Sequence, residues 1–371
     1  MVLLLTPEDT RGLMTMKEAI DCVEQAIREW GESAPRMNHP RHRIHSPTNA
    51  RVSVHQGTVP GLGIGGLMTH CEWVRELPNG IQKFALRGRP VQVLYSARNA
   101  ELLCIIIGEP STRELVESGI ETNPAVSAVR TAAVSAAGMR YAARKDASTV
   151  GIFGSQGQAK NHLLALCQVR NIRQAKVYSP TPENREAFSE QMSRLLKIEI
   201  LPVGDPQQAC QDVHIIMNCS NANYPVFQGE WLRKGMCVNG FQASNIGLVE
   251  SGHIADKRRE LDEETIRRVD RYVVLSKEQA MQDQQDGIFD PANRGLIRWE
   301  DLIELKDVVC GRASGRSRDD EITLFNNNGG QGVTDVAVGA IIYENAKRKG
   351  VGLELKVDGA QARDLELVAT L

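Results

Sequence analysis

The chain has 371 residues and a net charge of −2, so it exceeds the size at which one core keeps growing, and two domains are expected. Lysines and arginines are spread throughout with no basic stripe interleaved with aromatics, which argues against nucleic acid and for a small ligand. Eight cysteines without C-x-x-C spacing suggest neither a zinc site nor a disulfide framework, and the apolar start is broken at Pro7, too soon for a signal peptide or membrane span. A cytoplasmic protein is expected.

Residues 2–5 read as a strand, and Thr6 offers an N-cap to a helix with Pro7, Glu8 and Asp9 in its first turn. Ala19, Ile20, Val23, Ala26, Ile27 and Trp30 recur at helical spacing and predict an amphipathic helix from near Met16 to about Gly31. The extended run RMNHPRHRIHS (36–46) carries His39, His42 and His45 without a nearby carboxylate, so no metal is assigned. An arginine there would instead clamp a substrate carboxylate with two parallel hydrogen bonds. Short alternating runs across 51–107 predict an antiparallel sheet that holds the substrate or a dimer contact.

An alanine-rich helix over 125–143, with Arg130 and Thr131 in its middle, leads into the stretch TVGIFGSQGQAKNHLLA (149–165). There an apolar strand meets Gly154, Ser155, Gln156, Gly157, Gln158 and Ala159, and a helix follows. Such a turn binds a dinucleotide pyrophosphate through free N–H groups at the helix start, although Gln156 occupies the second glycine of the G-x-G-x-x-G fingerprint. The next strand, 175–179, ends in Ser179 where NAD sites carry an acid. Ser179, Thr181 and Arg185 suit a 2′-phosphate, pointing to NADP with NAD as the alternative, or they merely cap the following helix. Further strand and helix units predict a parallel doubly wound sheet, and Cys219, Ser220 and Asn221 follow the strand end that faces its ligand crevice. Near the C-terminus, 322–325 reads as a strand, 326–332 as a flexible turn, and Val333, Val336, Ala337, Ala340 and Ile341 as one helix face.

Three stretches resemble the ornithine cyclodeaminase and μ-crystallin family: VRTAAVSAAGMRYAA (129–143), VGIFGSQGQAKNHLLAL (150–166) and GRSRDDEITLFNNNGGQGVTDVAVGAIIYE (315–344). NYPVFQGEWLRKG (223–235) and the acidic-basic run at 259–262 are similar to it as well. The resemblance implies a homodimer with an α/β fold: a Rossmann-type doubly wound domain, 129–324, holding a nicotinamide cofactor, and a discontinuous α+β domain, 1–128 with 325–371, for substrate and dimerisation. It also implies that Arg43 (or Arg41) and Arg130 take the substrate carboxylate, and that the 154–159 turn, Thr131 and the Cys219 to Asn221 loop line the cofactor. Two departures stand out. Cyclodeaminases carry a lysine about where Leu67 stands, with His70 the nearest ionisable neighbour, and an aspartate base about where Ser244 stands. The expected function is therefore NADP-preferring reduction of an imine, or the reverse oxidation of an amino acid, with His70 as a speculative proton donor. The rivals are a cyclodeaminase with a rearranged base and a non-catalytic cofactor-binding protein.

Overall fold

The structure is a computed structural model that describes residues 1–33, 37–76, 82–120, 128–241, 246–252 and 254–357. Ser244 and the first residues of the helix expected from 125 lie outside the described residues.

The chain builds two eight-stranded sheets. In the first, strands run in the order Leu353–Leu355, Val2–Leu5, Leu102–Ile107, Val91–Ser96, Ile64–Glu76, Ala50–Val59 and Asn38–His45, with Gln82–Arg87 paired beside Ile64–Glu76. Both chain ends therefore contribute to one sheet. The sheet is mixed rather than purely antiparallel, because Val2–Leu5 runs parallel to Leu102–Ile107. The whole intervening chain serves as the long crossover that a parallel pair requires.

The helix expected after Thr6 is a single turn, Pro7–Thr10, closed by a capping box and followed at once by the strand Arg11–Met14. The helix Met16–Glu32 starts on a second capping box, with Thr15 accepting from the Glu18 N–H while the Glu18 carboxylate accepts the Thr15 N–H at 2.7 Å. It buries the expected apolar face against Ala128–Ala142 and Gly332–Lys349. Ala128–Ala142 is buried on nearly every side, and its small residues let it pack closely against Met16–Glu32, Gly157–Val169 and the strand Thr323–Asn326.

In the second sheet all strands are parallel, in the order Glu199–Val203, Gln174–Tyr178, Thr149–Phe153, Ile215–Asn218, Cys237–Gly240, Thr323–Asn326, Arg271–Val274 and Ile303–Glu304. From Thr149–Phe153 the chain winds outward to Glu199–Val203 and then returns to the other side. The switch point, where a ligand crevice opens in this class of fold, therefore lies between Thr149–Phe153 and Ile215–Asn218. The strand Thr323–Asn326 inserts beside Cys237–Gly240, and the run after it is not a loose turn. Asn327, Asn328 and Gln331 are fully buried, and the Asn328 amide donates to Ser276 O at 2.6 Å.

Candidate active site

Strand alternation puts one set of side chains on the inner face of the first sheet. There Arg43 lies opposite Ser53, which lies opposite His70. Arg51 lies opposite Glu72, and His55 opposite Met68. A register shift between His39 and His42 brings Arg41 into the same group. Arg41 Nη2 and Arg43 Nη1 both donate to Oδ2 of Asp283, at 2.7 and 2.8 Å. Arg130 Nε donates to Asp335 Oδ1 at 2.7 Å, and His55 Nδ1 lies 2.8 Å from Asp335 Oδ2. Asp335 occupies the first turn of Gly332–Lys349, and the preceding turn lies against these groups: a Cβ on Gly330 would fall 2.6 Å from Arg130 Nη2.

Burial raises the carboxyls of Asp283 and Asp335, but the flanking arginines outweigh it and hold both below the ordinary range. Glu72 is likewise raised by burial and, on balance, brought down to about 2 by Arg51 and Arg87. Burial lowers Arg41 to about 9, with Arg43 adding to the effect, so it stays cationic at neutral pH. Burial also lowers His55, and takes His70 to about 3 despite Glu72 nearby, so both rings are neutral in the cell's pH range. Arg41 Nε, Arg43 Nε, Arg130 Nη1 and His70 Nδ1 are buried with no partner among the described residues. Unmet donors on buried cations mark the place where an anionic ligand group would sit.

The cofactor side is built on Gly154. Its φ of +112° is open to glycine, and a Cβ there would meet Cys219 O at 2.6 Å. The helix Gly157–Val169 that follows has no side-chain cap, so its first N–H groups stay available to a phosphate. Gln158 Oε1 and both polar atoms of the Asn239 amide are buried without partners among the described residues. Asn239 stands near the carboxyl end of Cys237–Gly240, one strand beyond the switch point. The cradle and these orphaned amides fit a dinucleotide.

Ser179 is buried and Thr181 exposed, and Arg185 Nη1 donates to Ser179 O at 2.9 Å. Thr181 occupies the N-cap position of Pro182–Leu196 but makes no cap bond, which leaves its hydroxyl for a ligand. Ser155 is buried beside Gly154. Ser220 Oγ accepts from the Ala222 N–H at 2.9 Å, so that hydroxyl shapes the loop. Thr131 presents its carbonyl to Asn327 Nδ2 at 2.8 Å.

A model of the ornithine cyclodeaminase/mu-crystallin family matches residues 115–350. The chain belongs to this family. The Delta(1)-pyrroline-2-carboxylate reductase of Bacillus cereus is 32% identical over 229 residues, a match that covers 62% of this chain and 66% of that enzyme. The alanine dehydrogenase of Archaeoglobus fulgidus is 26% identical over 361 residues, 95% of this chain and 98% of that enzyme. The structure of the Thermococcus litoralis Delta(1)-pyrroline-2-carboxylate reductase in complex with NADH and L-proline superposes with a TM-score of 0.77 at 29% identity, covering 95% of this chain and all of that one. The mixed α/β architecture with a Rossmann-type sheet is therefore shared with enzymes of the family.

Within the family frame, the strand Ile64–Glu76 carries no lysine on the inner face. Leu67 lies opposite Gln56 and Val93 on the other face, and the inner positions nearest it are Gly66 and Met68, with His70 and Glu72 further along. The sequence reading singled out Arg41, Arg43, Arg130 and His70, and the fold brings these four together. It missed Asp283, which meets Arg41 and Arg43 across 242 and 240 residues, and Asp335, which meets Arg130 across 205 residues and His55 across 280. The signal available for Asp335 was an acid in the first turn of a helix whose next seven residues, Val336 to Ile342, are apolar or glycine. A cavity of about 800 Å3 bordered by Asn38, His39, Gln56, Gly57 and Glu278 lacks an arginine lining and is poorly suited to a carboxylate. Among the described residues no group of three or more His, Cys, Asp or Glu is arranged to hold a metal, and no helix is long and apolar enough to cross a membrane.

Proposed function

We propose that this protein is an NAD(P)H-dependent oxidoreductase, preferring NADPH, that acts on the C–N bond of an amino acid, imino acid or cyclic ketimine. The observation that carries it is the helix Ala128–Ala142. It holds Arg130 among the anion-binding groups and, five residues on, Ser135, whose Oγ lies 3.1 Å from His162 Nε2, while His162 Nδ1 lies 2.8 Å from Gln158 O in the first turn of the phosphate helix. Carboxylate site and pyrophosphate turn are thus joined through about 7.5 Å of one helix.

Bound nicotinamide would supply or take the hydride. The chain's own groups do the rest. Arg130 with Arg41 and Arg43 fixes the substrate carboxylate, which orients the α-carbon. Asp335 only accepts hydrogen bonds, so the neutral His55 carries its proton on Nδ1 and keeps Nε2 as the basic nitrogen. That nitrogen takes a proton from the amine in oxidation and returns it in reduction. His55→Gln is expected to lower kcat on the order of 100-fold with a smaller change in KM, read from steady-state assays. A larger kcat loss in His70→Gln would return the role to His70.

The reading extends to a cytoplasmic homodimer, with the chain divided into 129–324 and the discontinuous 1–128 with 325–371. Ile44, Val52, Trp73 and Tyr95 are exposed apolar side chains on the outer face of the first sheet, which supports a second copy there. All eight cysteines are free, in keeping with a reducing compartment.

The test is the melting temperature with NADPH, with NADH and without ligand, followed by cofactor consumption with imines made from 2-oxo acids and amines. Ligand at about 100 times Kd should add roughly 2.7 kcal/mol of stability. A larger gain with NADPH supports the Ser179, Thr181 and Arg185 assignment. No gain with either cofactor overturns the oxidoreductase, and a gain without turnover on any imine leaves a binding protein.

A further inference from the structure

The anion-binding groups extend past the place that one carboxylate needs. Asp283 is shared by Arg41 and Arg43. Two residues along the same strands, Glu72 is shared by Arg51 and Arg87, with Arg87 Nε at 2.7 Å. Arg258 approaches this second group from the loop ahead of Glu263–Arg268: its Nη2 donates to Asn221 O at 2.8 Å, while its Nε is buried with no partner among the described residues. Burial lowers Arg258 to about 10, Arg51 and Arg87 adding to the effect while Glu260 and Glu72 oppose it, so it remains charged at neutral pH among like charges. Burial lowers Arg51, Glu72 opposes the shift and Arg43 adds to it, which puts both groups in one continuous field. Strand geometry spaces the two rows by about 7 Å.

We propose that the substrate carries two carboxylates, the first held by Arg41, Arg43 and Arg130 and the second by Arg51, Arg87 and Arg258, with His70 between them. This rests on the reductase reading and narrows its substrate class to the imines of dicarboxylic 2-oxo acids, or to amino acids with a second carboxylate. A single-anion substrate would leave the buried Arg258 Nε as an unmet donor beside Arg51 and Arg87, which is costly. A second carboxylate meets that donor and lowers the repulsion.

The probes are 2-oxoglutarate and 2-oxopentanoate, which share a chain length and differ in the terminal carboxylate. Binding is measured by calorimetry on the NADPH-loaded protein and again without cofactor. The expected result is that 2-oxoglutarate binds on the order of 10 to 100 times more tightly, the worth of a charge-assisted hydrogen bond, and that Arg258→Met narrows the ratio to about 3 or less. Arg87→Met, at a half-exposed position, serves as the second variant should Arg258→Met fail to fold. Equal binding of the two acids, or a ratio that survives both substitutions, overturns the second site. Because the comparison without cofactor reads the anion groups by themselves, a failure of the nicotinamide reading remains separable from a failure of this one.

Discussion

Asp335→Ala is expected to cost about 3–5 kcal/mol of stability, the range for removing one partner of a buried ion pair, and to lower kcat/KM by more than about 1000-fold. Asp335 is nearly fully buried and is the acceptor for both Arg130 and His55. Its loss leaves Arg130 without its carboxylate, in a place where Nη1 already lacks a partner, and frees the His55 ring to take the other tautomer. The two effects separate in Asp335→Asn, which keeps a hydrogen-bond acceptor for Arg130 but removes the charge. That variant should fall between wild type and alanine in denaturant unfolding while losing most of the activity. The sign with pH follows from the lowered carboxyl: its contribution is fully present above the unfolded value, about 3.9, and is lost as pH falls below it. An unfolding midpoint for Asp335→Ala equal to that of wild type would show that the pair contributes nothing to the fold.

Gly154→Val acts on the other half of the site. A β-branched residue at a φ of +112° is strained by about 1–3 kcal/mol. Its Cβ would press on Cys219 O, a backbone atom, adding an overpacking cost of about 1–3 kcal/mol. The chain can relieve this only by moving the turn away from Ile215–Asn218. Since the N–H groups at the start of Gly157–Val169 are aimed by that turn, NADPH affinity should fall by at least about 100-fold, measured by titration of nucleotide fluorescence. Folded Gly154→Val protein that binds NADPH as tightly as wild type would remove the pyrophosphate from this turn. Gly157→Ala makes a useful contrast, because Gly157 has no positive φ.

Much of the site was legible because its parts are local. A strand, a glycine turn and a helix are adjacent in the chain, and the spacing of Val150, Ile152, Leu163 and Leu164 announces the change of period from strand to helix. The helix Met16–Glu32 was equally plain from its apolar stripe, whereas its Thr15 and Glu18 capping box came only with the structure. Arginines in an extended run and in an alanine-rich helix were readable as candidate carboxylate ligands once they shared a chain with a glycine turn of the nucleotide-binding kind. The first sheet was less legible. Alternation gives strands but not partners, so the parallel pairing of Val2–Leu5 with Leu102–Ile107 and the inward position of Met68 rather than Leu67 had no local signal.

The sequence by itself determined the strand, glycine turn and helix at 149–169 and the parallel sheet, and it marked Arg41, Arg43 and Arg130 as candidate anion ligands, because each follows from residues within one or two turns or strands. Only the tertiary structure decided how those arginines are balanced. Asp283 meets Arg41 across 242 residues and Asp335 meets Arg130 across 205, and no periodicity couples positions so far apart. The physical reason is that a buried charge must be matched where the folded chain places it. The matching acids are fixed by packing of Lys277–Gln282 and Gly332–Lys349 against the first sheet.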